Sequence, residues 1–223
     1  MTTWLTVALM GGLVGLDTTS FPQAMISRPL VAGTLTGAVL GQPMAGLAIG
    51  FVMEAFSLLT LPVGAARYPE SGTATVAAAG AYTVFAPPEL GPGLLAMVVA
   101  FALLWEWVGG GTVVLLRRTN GRLLLEDEGV SGRELERRHL TAMALDFARG
   151  AGVATVGGLL AAALLWLVAP LWDLGSGVTM GVLAVLTAAM VGTAVPLFGG
   201  VRARRYALAA GLAAGAALAA VLA

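Results

Sequence analysis

Seven ionisable side chains stand isolated in a chain made mostly of Ala, Leu, Val and Gly: Asp17, Arg28, Glu54, Arg67, Glu70, Glu106 and Asp146. An ionised group in oily surroundings is costly unless it is paired or hydrated, so each is a candidate for function. The sharpest is Glu54, set inside "GLAIGFVMEAFSLLTLPVG" (46–64) with apolar residues on both sides for a turn or more. Its carboxylate can accept hydrogen bonds from the hydroxyls of a polyol, pair with Arg28 or Arg67, or relay a proton. Asp17 and Arg28 bracket a second cluster, "GLDTTSFPQAMISRPL" (15–30), which brings two threonines, two serines and Gln23 into the same short stretch. Carboxylate, amide and guanidinium together offer the mixed acceptors and donors that a hydroxyl-rich ligand needs.

Other polar residues have simpler readings. Glu106, between Trp105 and Trp107, fits an aromatic belt at headgroup level. Asp146 and Arg149 are three apart on one helix face and can pair with each other. His139, among arginines, reads as a surface histidine at the membrane edge. With one histidine and no cysteine, neither a conventional transition-metal cluster nor a disulfide is expected, and no catalytic triad can be assembled. No cofactor is expected. A lysine-bearing phosphate loop is excluded because all 12 basic residues are arginine.

The elements that must hold these groups are membrane helices. The 223 residues are 58% hydrophobic and 11% charged, with a mean hydropathy of +0.91, whereas soluble domains carry about 25% charge. The formal net charge is zero, which implies no nucleic-acid partner. Uncharged runs cover 29–53, 71–88, 150–172, 174–201 and 206–223, and 90–116 adds another broken only by Glu106. About 20 apolar residues cross a bilayer core, so several of these can span it. The run after Arg28 is expected to break at Gly41-Gln42-Pro43, since proline removes a helical hydrogen bond. Short Gly/Pro-interrupted segments of this kind mark broken or re-entrant helices that line binding sites. The expected fold is an all-α polytopic membrane protein, a bundle of roughly six to eight transmembrane and re-entrant helices in a single domain, residues 1–223. Residues 1–116 would hold the site, 117–149 a cytoplasmic loop and amphipathic helix, and 150–223 the C-terminal helices. Six arginines in 117–138 and three in 201–205 place both segments on the cytoplasmic side of a multi-pass protein. The opening "MTTWLTVALMGG" lacks a basic n-region and a cleavage site, and is expected to remain in the mature chain.

Residues 16–72 resemble the N-terminal half of the membrane component IIC of the mannose/fructose/sorbose-type sugar phosphotransferase system. The likeness lies in "RPLVAGTLTGAVLG" (28–41), "GLAIGFVMEAFSL" with Glu54, and "LPVGAARYPES" (61–71). "RRHLTAMALDFARG" (137–150) is similar to the family's histidine-bearing segment before the later spans. The resemblance implies an inner-membrane, elevator-type transport subunit that is not an enzyme by itself. Its partners would be a sugar, a IID-like membrane subunit, cytoplasmic IIB and IIA subunits that bear the phosphohistidines, and further copies in an oligomer. By matching position, the sugar contacts would be Asp17, Gln23, Arg28, Glu54, Gly64, Ala65, Ala66 and Arg67. The chain departs from some members in having Ser27 where a histidine precedes the Arg-Pro pair. Two other readings remain open from the residues: a non-translocating membrane sensor or scaffold, and a proton-coupled small-solute transporter using Glu54 or Asp17.

Overall fold

The computed structural model describes residues 2–58, 67–85, 92–123 and 131–171, with scattered positions between 181 and 213. Six α-helices occur in order among these residues: α1 (Thr2–Thr19), α2 (Pro29–Val39), α3 (Pro43–Ser57), α4 (Ser71–Phe85), α5 (Pro92–Leu123) and α6 (Gly132–Val168). Short 3-10 turns follow at Ala169–Leu171 and Val195–Phe198, and the described residues contain no strand. The expected spans at 174–201 and 206–223 lie largely outside the described residues.

The break at Gly41-Gln42-Pro43 forms as its local chemistry dictates. Arg28 precedes a proline and is held extended (φ −64°, ψ 132°), so α2 starts at Pro29. At its far end Gly41 adopts φ +82°. The Gly41 N–H donates to Ala38 O at 3.1 Å and the Gln42 N–H to Gly37 O at 2.7 Å. This is a left-handed glycine cap closing the last turn, and Pro43 then opens α3. The two helices, 11 and 15 residues long, measure about 16 and 22 Å, too short for a bilayer core of about 30 Å. They pack as an antiparallel hairpin because glycines face one another. A Cβ on Gly33 would sit 2.6 Å from the Gly46 carbonyl oxygen and 2.9 Å from Gly50 Cα. The Gln42 side-chain amide donates to Thr83 O, tying the hairpin tip to the end of α4.

α4 is the axis of the bundle. Every residue from Ser71 to Ala81 is buried, because its Ala, Gly and Thr side chains let helices approach from all sides. Gly72 meets Val14 and Gly80 meets Val7, so α1 runs antiparallel to α4. Gly15 lies against Gly150 and Gly158 against Trp4, so α6 is antiparallel to α1. Trp105 packs on Gly157, while Thr112 reaches Arg149, so α5 is antiparallel to α6. The C-terminal ends of α1 and α5 therefore share one end of the bundle with the starts of α2, α4 and α6. The arginines of 117–138 belong to that same end. Apolar packing around Ile49, Met53, Ala78, Val98, Ala162 and Leu165 fills the opposite half.

α6 runs unbroken from Gly132 to Val168, so the amphipathic segment leads directly into the following span as one helix. A Ser131 cap opens it, its hydroxyl accepting from the Glu134 N–H. One expectation is revised: the "WEW" triplet does not face outward as a belt would. Trp105 stacks on Phe101 and donates its indole N–H to Val153 O at 3.0 Å, and Glu106 is 8% exposed. Successive helical residues turn about 100°, so Trp105 and Glu106 face inward and only Trp107 points out.

Candidate functional site

The polar stretch after α1 is built around Asp17, which is almost fully buried. The Ser20 and Phe21 N–H groups both donate to Leu16 O and end the helix. The chain then doubles back over the carboxylate. Asp17 Oδ1 accepts from the Ala24 N–H at 2.6 Å and Oδ2 from the Ser27 N–H at 2.8 Å. Gln23 and Met25 occupy the left-handed region, φ 57° and 63°, a conformation that costs about 1–2 kcal/mol for such residues and persists where surroundings over-determine it. Asp17 is thus the pin of a closed turn, with both oxygens engaged by backbone.

Arg28 leaves this turn and pairs with Glu54 on α3. Its Nε donates to Glu54 Oε1 at 2.8 Å, and its Nη2 donates to the same oxygen. Glu54 Oε2 accepts from the Leu30 N–H at 3.3 Å, at the open N-terminus of α2. Of the partners open to Glu54 in the sequence, Arg28 is the one it takes. The pair is not sealed, since the Arg28 side chain is 37% exposed.

Asp17, Gln23 and Arg28 line one cavity of about 560 Å³, together with Thr18, Thr19, Ser20, Ser27, Tyr68, Arg117 and Asn120. A narrower recess of about 110 Å³ continues from Arg28 and Tyr68 to Ser57, Glu70 and Ser71. Glu54 does not line either space and reaches the cavity only through Arg28. Arg67 is exposed and donates to Trp107 O at 3.1 Å, away from the cavity. Gly64, Ala65 and Ala66 lie outside the described residues. The cavity opens at the arginine-bearing end of the bundle, beside Leu116 and Arg117.

Beneath the cavity lies an ion network that spacing alone did not reveal. Arg149 on α6 donates to Glu70 twice, Nη1 to Oε2 at 2.7 Å and Nη2 to Oε1 at 2.8 Å. Its Nε donates to Asp146 Oδ1 at 3.0 Å and its Nη1 also to Thr112 Oγ1 at 3.2 Å. The Asp146–Arg149 pairing expected from sequence is therefore present, but the bidentate partner is Glu70, 79 residues away. Side-chain exposure is 8% for Arg149 and 0% for Glu70 and Asp146. Two carboxylates face one guanidinium, so these three groups sum to one negative charge. The other Asp146 oxygen accepts the hydroxyls of Thr19 and Ser20, which binds α6 to the end of α1. Glu70 itself is held by its N–H donating to Glu106 O at 2.8 Å. The signal available for Glu70 was its position, a lone carboxylate directly before the small-residue helix α4.

A second cavity of about 550 Å³ adjoins the first, lined by Thr19, Ser20, Asn120, Leu135, Arg138, His139, Ala142 and Met143. His139 is exposed at its rim, as expected of a surface histidine. No group of three or more His, Cys, Asp or Glu side chains able to hold a metal occurs among the described residues.

Comparison with known proteins supplies the lineage. A solved structure described only as "Structure of membrane protein" superposes with a TM-score of 0.71, covering 99% of this chain and 92% of that one at 16% identity. At that identity the likeness shows a shared fold and no more. No curated protein sequence matches. Two helices, Gly93–Arg122 and Gly132–Leu171, are long and apolar enough to cross a bilayer. Residues 1–191 match the family described as "PTS system sorbose-specific iic component", and the chain belongs to that family of membrane components of the sugar phosphotransferase system.

Proposed function

We propose that the chain is the sugar-translocating IIC subunit of a phosphoenolpyruvate-dependent phosphotransferase system of the mannose family. It moves a hexose-type sugar across the inner membrane, works beside a IID-like membrane subunit, and presents the sugar to a IIB subunit charged from IIA. The observation that carries this reading is the 560 Å³ cavity at the arginine-bearing end, walled by hydroxyls, two amides and two guanidinium groups. Under the positive-inside rule that end faces the cytoplasm, where a phosphorylating partner would meet the sugar. Gln23 and Arg28 contact the sugar, Asp17 holds the turn that presents them, and Glu54 orients the Arg28 guanidinium. The α2–α3 hairpin enters and leaves at the same end, which supports its role as a re-entrant element beside the path. Phosphoryl transfer itself belongs to the partner subunits, and the chain acts in membrane-bound oligomers with them.

The test is uptake of labelled hexoses into membrane vesicles containing the full complex. Uptake should require phosphoenolpyruvate and IIB, persist with an uncoupler, and fall in Glu54→Gln while the protein level stays unchanged. One observation favours a second reading, a proton-coupled transporter: the buried excess negative charge of Glu70, Asp146 and Arg149. Uptake that collapses with an uncoupler and ignores phosphoenolpyruvate would select it.

A further inference from the structure

Thr19 and Ser20 line both cavities, and each hydroxyl has a single proton to give. Both protons point inward: Ser20 Oγ donates to Asp146 Oδ2 at 2.6 Å, and Thr19 Oγ1 donates to the same oxygen with Gly15 O also in reach at 3.3 Å. The direction of these bonds is fixed from the far side of the carboxylate. Asp146 Oδ1 accepts from Arg149 Nε at 3.0 Å, and a carboxylate ionised against a guanidinium has no proton of its own to return. Thr19 and Ser20 therefore have only lone pairs left for an occupant of the cavities. Asn120, the third residue common to both, has its Oδ1 buried with no hydrogen-bond partner among the described residues, a further unmet acceptor at this junction.

We propose that Asp146 is a positioning residue that makes the Thr19–Ser20 corner an acceptor-only wall, which selects a sugar presenting a hydroxyl that donates there. This rests on the reading of the cavity as a sugar site, and it assigns a specificity role to a residue on α6 that does not itself line the cavity. Asp146→Asn has a determinate outcome, because Arg149 Nε can only donate. The new amide must turn its oxygen toward Arg149 and its NH₂ toward Thr19 and Ser20. The two hydroxyls then accept from the amide; the Thr19 proton turns to Gly15 O, 3.3 Å away, and the Ser20 proton is released toward the cavity. At Ser20 the wall changes from acceptor to donor with almost no change in shape, and the Arg149–Glu70 pair remains.

The experiment measures equilibrium binding to membranes containing the full-length chain, with sorbose, mannose and fructose as probes. Whichever binds is followed by its singly fluorinated and O-methylated derivatives, which accept hydrogen bonds but cannot donate. For wild type, one ring position should lose about tenfold or more in affinity on either substitution. Asp146→Asn should still bind the parent sugar, since a hydroxyl serves in either sense, but should lose that discrimination at that position. A merely structural role for Asp146 would instead weaken parent and derivatives alike. The pair Thr19→Val with Ser20→Ala, which leaves the ion network intact, should abolish the same discrimination and carries the test if Asp146→Asn fails to fold. If wild type binds a sugar but tolerates fluorine at every position, or if the variants keep the full discrimination, the inference is overturned alone. If wild type binds none of the three sugars, the sugar site and this inference fall together.

Discussion

Replacing Arg149 by methionine keeps much of the side-chain volume and removes the cation that, among the described residues, pairs with Glu70 and Asp146. Both carboxylates have 0% side-chain exposure, and together they would lose three hydrogen bonds of 2.7–3.0 Å. Breaking a buried ion pair by removing one partner costs about 3–5 kcal/mol, because the other charge is left desolvated. For a chain of this size each kcal/mol shifts Tm by about 2–4 °C, so Arg149→Met should lower Tm by roughly 6–20 °C. The assay is thermal unfolding of the detergent-solubilised protein, followed by tryptophan fluorescence. Adding Glu70→Gln to Arg149→Met removes one stranded charge and should recover at least about 1 kcal/mol relative to the single variant. The sum of two independent losses is the opposite expectation. An unchanged Tm in Arg149→Met, or a double variant whose losses simply add, refutes the network as described.

Other outcomes follow from the geometry. Gly33→Ala would drive a methyl group into the Gly46 carbonyl and Gly50 Cα, so the α2–α3 hairpin must open; a loss of about 1–3 kcal/mol in the same unfolding assay is expected. Asp17→Asn leaves one acceptor where two backbone donors converge, costing about 1–3 kcal/mol locally, and hydrogen exchange at Ala24 or Ser27 should quicken without loss of the helices. Because the chain contains no cysteine, Arg133→Cys and Arg202→Cys each supply a single label site. A membrane-impermeant maleimide should reach both from the cytoplasmic face and neither from outside.

What could be read from the sequence was what local chemistry decides. Gly41-Gln42-Pro43 announced the hairpin because a left-handed glycine followed by proline ends one helix and starts the next, whatever surrounds it. Asp146 and Arg149 are one helical turn apart, so their pairing was legible too. Arg28 was one of two cations open to Glu54, and the fold selected it by bringing the start of α2 against α3. Glu70 and Arg149 were out of reach, since 79 residues separate them and only the parallel packing of α4 and α6 brings them together. Glu106 misled for a related reason: tryptophans mark interfaces in general, but which face of α5 is inward depends on where α4 and α6 lie. Gln23 entered through resemblance, and its place at the cavity wall beside Arg28 depends on the Asp17 turn rather than on any motif.

The most direct test of the central claim is a structure of the full-length chain with a bound hexose. Sugar density is expected in the cavity between α1, the 20–28 turn and α5, against Thr19, Ser20, Gln23 and Arg28, with Glu54 still holding the Arg28 guanidinium. A sugar seated elsewhere in the bundle, with that cavity empty, would contradict it.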